Sequence, residues 1–422
     1  MSRMFDRAKS SAVSALRWSE KYTKTDMVYL AQGGFWLIAR QVGAIIISLG
    51  LAVFFGHFAT QDTYGNYKYI IDVSFLLTTI SLSGLTTAVT RAAARGDGGG
   101  LRQGFTLSMR WSWGIILIGF ITSLYYFYLG NNFVGIGLAL AAATLPLISG
   151  LSLYDSFLIG LKEFRLSSLY SIGSLAFTAL SLIATLLFVS QRAIVLVAVY
   201  FITNLMTDAL WYILSLRKAQ NASQDPEMLH YGFHLSLMGV IGTIADKIDS
   251  IIVFSLLGPA QLAVYLYAIA IPEQIKGLLK NIGTLGTPAF ARRSLSEIKS
   301  NIWNRILLLS LGTLGVMCVY ALMTPFIFKI FFPVYISSIP YSQIYAFSIV
   351  FSGIVPIMSI FQAHKNVREL YIVSNVGPIL LIIIFPIFTA YWGISGAIIS
   401  QVVYRFVTTS VAIFLFLRLK QL

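Results

Sequence analysis

The chain has 422 residues, of which 57% are hydrophobic and 11% charged, with a mean hydropathy of +0.80. Water-soluble chains carry about 25% charged residues, because a surface in water must be polar. This composition therefore excludes a water-soluble enzyme and makes lipid the main solvent. The charge is lopsided, with 30 Lys and Arg against 16 Asp and Glu and a formal net charge of +14.

The segment 1–27 is basic, and Met4, Phe5, Ala8, Ala12, Val13 and Leu16 are interleaved with Arg3, Arg7, Lys9 and Arg17. It reads either as a short helix lying on the membrane surface or as a basic tail. With no early cleavage site, the span that follows is expected to be an uncleaved signal anchor. Twelve apolar runs are then long enough to cross as helices. A first half, 28–216, holds six, near 28–55, 66–90, 103–129, 133–160, 166–190 and 193–216. A polar linker, 217–230, contains Asn221, Asp225, Pro226 and Glu227. A second half, 231–417, holds six more, near 231–257, 262–287, 302–329, 341–362, 370–390 and 395–417, followed by a tail, 418–422. Period-2 alternation is absent, which argues against an outer-membrane barrel.

Of the 30 cations, 20 fall in loops on the side of the N-terminus and three (Lys68, Arg192, Lys329) on the other. Lys and Arg accumulate in cytoplasmic loops, so both termini are expected in the cytoplasm and the chain in the inner membrane. A faint repeat relates the halves. Phe55-Gly56 precedes Tyr64-Gly65, much as Leu257-Gly258 precedes Tyr265. Two six-span halves of this kind are a transporter pattern.

Seven cations remain at membrane depth, Arg40, Arg110, Lys247, Lys276, Lys280, Arg305 and Arg405, with six acids, Asp72, Asp155, Asp208, Asp246, Asp249 and Glu273. Each costs at least about 2.5–3.5 kcal/mol at a bilayer centre, so they must face a protein interior or a wet cavity. Arg110 and Arg305 lie near span ends and can snorkel. Arg40, Lys276 and Arg405 lie mid-span, and Lys280 is one turn from Lys276 on the same face. Two readings of this group stay open. Cations lining a central cavity would bind an anionic headgroup such as a pyrophosphate, Arg by bidentate pairing and Lys as a point charge. Alternatively they are ion-pair partners of Asp72, Asp246, Asp249 or Glu273 that fix helix packing.

Asp72, Asp246, Asp249 and Glu273, with Lys247, are candidates for coupling transport to H+ or Na+, or for simple charge compensation. Asp246 and Asp249 are expected on one face of the seventh span, and Glu273 and Lys276 are spaced to pair. Asp155 and Asp208 are assigned to helix packing in the first half. Tyr64, Tyr67, Tyr69, Tyr335, Tyr341 and Tyr345 are assigned to an interfacial aromatic belt.

Soluble-enzyme chemistry has no footing here. The single cysteine, Cys318, excludes an intrachain disulfide and a cysteine metal site. No P-loop or HExxH motif occurs. His230 and His234, at i,i+4, are read as an interfacial or packed pair. No cofactor, metal or nucleic-acid partner is expected.

Several segments resemble one known family. These are FGHFATQDTYGNYKY (55–69), SLSGLTTAVTR (81–91), GLSLYDSFLIGLKEFR (150–165), DKIDSIIVFSLLGPAQLAVYLYAIAIPEQI (246–275), FFPVYISSIP (331–340) and YWGISGAIISQVVYR (391–405). They resemble the Wzx-type lipid-linked oligosaccharide flippases, whose MOP superfamily also holds MATE multidrug exporters and MurJ lipid II flippases. The resemblance implies an all-α membrane protein of two six-helix lobes, V-shaped and opening alternately to each side. It also implies a central cationic cavity for a polyprenyl-pyrophosphate-linked oligosaccharide, and it transfers no site residue.

The expected function is therefore flipping an undecaprenyl-pyrophosphate-linked glycan from the cytoplasmic to the outer leaflet. The lipid tail would stay among membrane lipids. Arg40, Lys276, Lys280 and Arg405 are the candidate substrate-binding residues. Asp72, Asp246, Lys247, Asp249 and Glu273 are candidates for coupling or ion pairing. A drug or cation antiporter of the same fold is the first alternative, and it would favour an acidic cavity. A membrane-embedded polymerase or glycosyltransferase is the second. It would need acids in a substantial outer loop, whereas the outer loops are short and nearly acid-free, Asp62 excepted.

Overall fold

The computed structural model describes residues 27–219, 223–284, 295–363 and 366–419. The expected surface helix before Met27 lies outside them. The described residues form helices and no strand. A chain in lipid must satisfy its backbone internally, and a helix does so within one segment.

The first half runs through α1 (Met27–Phe58), α2 (Gln61–Thr78), α3 (Leu85–Ala94), α4 (Gly100–Trp111), α5 (Trp113–Tyr128), α6 (Asn132–Leu151), α7 (Leu153–Gly160), α8 (Phe164–Phe188) and α9 (Ala193–Leu216). The second half runs through α10 (Met228–Ala245), α11 (Ile248–Leu257), α12 (Pro259–Thr284), α13 (Leu295–Phe331), α14 (Ile339–Ala346), α15 (Val355–Ala363) and α16 (Val367–Arg418). Local chemistry sets several starts. Thr60 caps α2 by accepting from the Thr63 N–H, and Asn131 caps α6 by accepting from the Val134 N–H, each satisfying a donor that the first turn leaves open.

Among the described residues nine helices are long and apolar enough to cross a membrane, or ten if the bent pair Gln61–Ser81 and Leu85–Ala94 is one span. The chain is a multi-pass membrane protein, and its outward side chains agree: Leu180, Leu308 and Leu322 are 66%, 73% and 74% exposed. The last helix is not one rod. Gly393 has φ 58° and ψ −139°, and a Cβ on Gly396 would fall 1.9 Å from the Phe388 carbonyl oxygen. Residues eight apart in a straight helix are about 12 Å apart along its axis, so α16 doubles back at Gly393 into a hairpin. Twelve passes are reached only by counting that hairpin as two and the α10–α11 pair as one.

The halves meet along a seam. The α1–α2 hairpin meets the α11–α12 hairpin there, with α2 packed on α12. Contact there is backbone to backbone, since a Cβ on Gly65 would lie 1.9 Å from the Pro259 oxygen. Small residues allow such close helix approach in lipid. At the other end α3 packs on α10, where the Gly84 N–H donates to Ser236 Oγ at 2.8 Å.

Tyrosines fill the α2–α12 end of the seam. Tyr267 stacks on Tyr335 at 3.7 Å between centroids, Tyr64 tilts on Tyr267 at 4.9 Å, and Tyr69 stacks on Phe254 at 3.7 Å. This corrects the aromatic-belt expectation. Tyr67, Tyr69, Tyr335 and Tyr345 are buried, whereas belt residues meet headgroups. Proximity to span ends suggested a belt, but helix packing claims these rings: Tyr69 and Tyr335 at the seam, Tyr67 against Phe55 and Tyr200 within the first half, and Tyr345 beside Glu273 and Lys276 within the second.

Candidate functional site

Most of the described intramembrane charges gather in three places. The first bridges the halves. Asp72 on α2 is 1% exposed, with Lys247 Nζ at 2.6 Å, Ser250 Oγ donating at 2.8 Å and Lys68 Nζ at 4.0 Å. Asp249 lies alongside, accepting from the Tyr265 hydroxyl and the Ser250 N–H at 2.8 and 2.7 Å, with Gln401 Nε2 at 3.4 Å. The expected common face of Asp246 and Asp249 does not form. The helix breaks at Asp246-Lys247, leaving Asp246 exposed and Asp249 buried at the start of α11. The break turns Lys247 toward Asp72 instead.

The second lies in the first half. Arg40 Nη1 binds both Asp155 oxygens at 3.0 and 2.9 Å and Ser167 Oγ at 3.3 Å, while Ser167 Oγ donates to Asp155 Oδ1 at 2.5 Å. Asp155 therefore does the packing assigned to it by neutralising Arg40. Both side chains keep some exposure, 32% and 23%.

The third lies in the second half, where Pro272 sits inside α12 just before Glu273. Pro removes a helix donor and kinks the chain. Glu273 Oε1 accepts from Lys276 one turn along, from the Tyr345 hydroxyl, and from Arg405 Nη2 at 3.0 Å. Lys276 also donates to Tyr345 Oη at 3.0 Å and sits 4.4 Å from that ring's centroid. The Arg405 guanidinium lies 5.0 Å from the Tyr404 ring centroid. Of these groups Lys276, Tyr404 and Arg405 also line a cavity of about 360 Å³, together with Ser348, Ser352 and Thr408. Arg405 Nε and Ser348 Oγ are buried without a hydrogen-bond partner. Buried polar groups are nearly always paired, so two orphan donors at one cavity mark it out.

Of the expected substrate-binding residues, Lys276 and Arg405 come together and Arg40 stands apart in the other half. Lys280 is on α12, but its side chain lies outside the described residues, as does that of Arg305. Arg110 is exposed, as snorkelling requires. The exposed His230 and His234 touch through their Nε2 atoms at 3.2 Å. No group of three or more possible ligands is placed to hold a metal among the described residues. Sequence reasoning missed Tyr345 and Ser348 at this site, because neutral side chains carry no charge-burial signal. One signal was available: Gln401 and Arg405, at i,i+4, share the face that meets Asp249 and Glu273.

The described residues thus form an all-helical membrane bundle with buried charge at the seam between its halves and a cavity in the second half. Among solved structures the chain is similar to a multidrug resistance MATE family transporter of the MOP superfamily in its outward-facing conformation. Identity there is 14%, over 90% of this chain and 93% of that one, with a TM-score of 0.63. An inward-facing MATE structure gives 13%, 88%, 93% and 0.64. The lipid II flippase MurJ, inward closed, gives 17%, 89%, 87% and 0.60. At such identities the likeness establishes the fold. Residues 30–272 match the family model described as polysaccharide biosynthesis protein. That is more than half of the chain, so the chain belongs to this polysaccharide biosynthesis protein family. A sequence comparison with the curated proteins finds no match.

Proposed function

We propose that the protein flips a polyprenyl-pyrophosphate-linked oligosaccharide across the inner membrane, from the cytoplasmic to the outer leaflet, by alternating access. The observation that carries this reading is the cavity in the second half. Lys276 and Arg405 supply positive charge, Ser348, Ser352 and Thr408 supply hydroxyls, and two donors there are unsatisfied. A diphosphate needs this kind of wall, combining a point charge, a planar guanidinium and neutral donors. The lipid tail remains in the bilayer, beside the apolar side chains that the helices turn outward. Both termini are placed in the cytoplasm, the side of the Lys- and Arg-rich loops. The Asp72–Lys247 and Asp249–Tyr265 groups at the seam are the proposed place where a coupling ion acts, since they join the halves that must move apart.

Complementation of a strain lacking its glycan flippase tests the reading. Lys276→Ala and Arg405→Ala are expected to abolish surface glycan and leave lipid-linked oligosaccharide in the cytoplasmic leaflet. Normal surface display by both variants, at normal protein levels, overturns it.

A further inference from the structure

Glu273 occupies the position an incoming anion would take. One of its oxygens, Oε1, accepts from Lys276, Arg405 and Tyr345 together. Three donors converging on one oxygen is the arrangement in which a phosphate oxygen is held by charge-assisted bonds. The donors are more deeply buried than the acceptor. The Lys276 side chain is 7% exposed and that of Arg405 26%, against 39% for Glu273. Lys276 is also held over the Tyr345 ring, and Arg405 over that of Tyr404. Two cations face one carboxylate, so the cluster keeps a positive charge. Its unused donors, Arg405 Nε and Ser348 Oγ, belong to residues on the cavity wall.

We infer that Glu273 is a built-in counter-anion, displaced when the diphosphate of the substrate binds Lys276 and Arg405 and returning when it leaves. The inference rests on the cationic-site reading above and adds the regulation of that site. Its physical basis is competition. A diphosphate carries more negative charge than one carboxylate and more acceptor oxygens, so it can compete with Glu273 for the three shared donors. Between cycles the carboxylate neutralises cations that would otherwise be buried and unpaired, a costly state in a membrane. Displacing it weakens net binding, which is an advantage in a carrier, because a site that binds too tightly does not release. Tyr345 moves with the exchange, since its hydroxyl donates to whichever anion is seated.

The test is titration of the purified full-length protein in detergent with inorganic pyrophosphate and with undecaprenyl pyrophosphate, with thermal melting alongside. Removing the competitor in Glu273→Gln is expected to tighten binding by about tenfold or more, the scale of a charged hydrogen bond. Its Tm without diphosphate should fall below wild type and should rise further than wild type on adding it. Lys276→Ala should lose binding. If Glu273→Gln binds as wild type or more weakly while Lys276→Ala loses binding, the counter-anion role is overturned and the cationic site stands. If Lys276→Ala and Arg405→Ala both bind as wild type, both readings fall. Tightening toward inorganic pyrophosphate alone overturns displacement by a lipid-linked substrate. Should Glu273→Gln not fold, Glu273→Asp keeps the charge but reaches one methylene less far. Tighter binding by that variant supports the inference, and unchanged or weaker binding overturns it.

Discussion

Two buried charge clusters in this protein look alike in composition and differ in how well they are satisfied. At the seam, both oxygens of Asp72 are engaged, one by Lys247 and the other by Ser250, and aromatic stacking lies on the same helix pair. In the second half, three donors crowd one oxygen of Glu273 while Arg405 Nε and Ser348 Oγ have no partner. A satisfied polar cluster rigidifies what it joins, whereas a buried polar group without a partner calls for an explanation. The seam cluster is therefore read as a clamp between the halves and the cavity cluster as a seat for an anion.

Breaking the clamp should have the largest effect on stability. Lys247→Met leaves Asp72 with a buried charge and no close cation except Lys68 at 4.0 Å. Removing one partner of a buried pair costs about 3–5 kcal/mol, so a marked fall in Tm is expected. A Tm within a degree or two of wild type would show that the clamp bears little load. Next in size is Gly65→Ala. A methyl group 1.9 Å from the Pro259 carbonyl oxygen must force α2 and α12 apart, and overpacking of this kind costs about 1–3 kcal/mol. Ser338 is buried and donates to the Val264 oxygen. Thiol labelling of a Ser338→Cys variant in which Cys318 is replaced by Ser should become faster when Gly65→Ala is added. Unchanged labelling would mean the seam absorbs the methyl without parting.

Smallest is Arg40→Ala. Its pair with Asp155 keeps 32% and 23% exposure, and partly solvated pairs contribute about 1 kcal/mol or less. A small fall in Tm with surface glycan retained is expected. Loss of glycan display at near-normal stability would instead place Arg40 in the transport path.

The comparison also separates what a linear reading can and cannot reach. The membrane class, the helical architecture and the list of costly intramembrane charges are legible in sequence. Hydropathy and the expense of burying a charge are properties of each residue and its near neighbours. Local spacing reached further at one point: Glu273 and Lys276, three residues apart on a helix, do pair. It failed where a helix breaks, as at Asp246-Lys247, because an unbroken period was assumed across a turn. It failed again for Tyr67, Tyr69, Tyr335 and Tyr345. A tyrosine near a span end suits a lipid interface or a helix seam equally well until the neighbouring helix is known.

Composition and patterning by themselves determined that this chain lives in a membrane, crosses it many times as helices and keeps a handful of charges inside. Only tertiary structure decided who meets whom. Arg40 and Asp155 are 115 residues apart, Asp72 and Lys247 175, and Glu273 and Arg405 132. The cost of a buried charge says that each must find a partner. Which partner depends on how two halves of the chain pack side by side, and that is a property of the folded bundle rather than of any local segment.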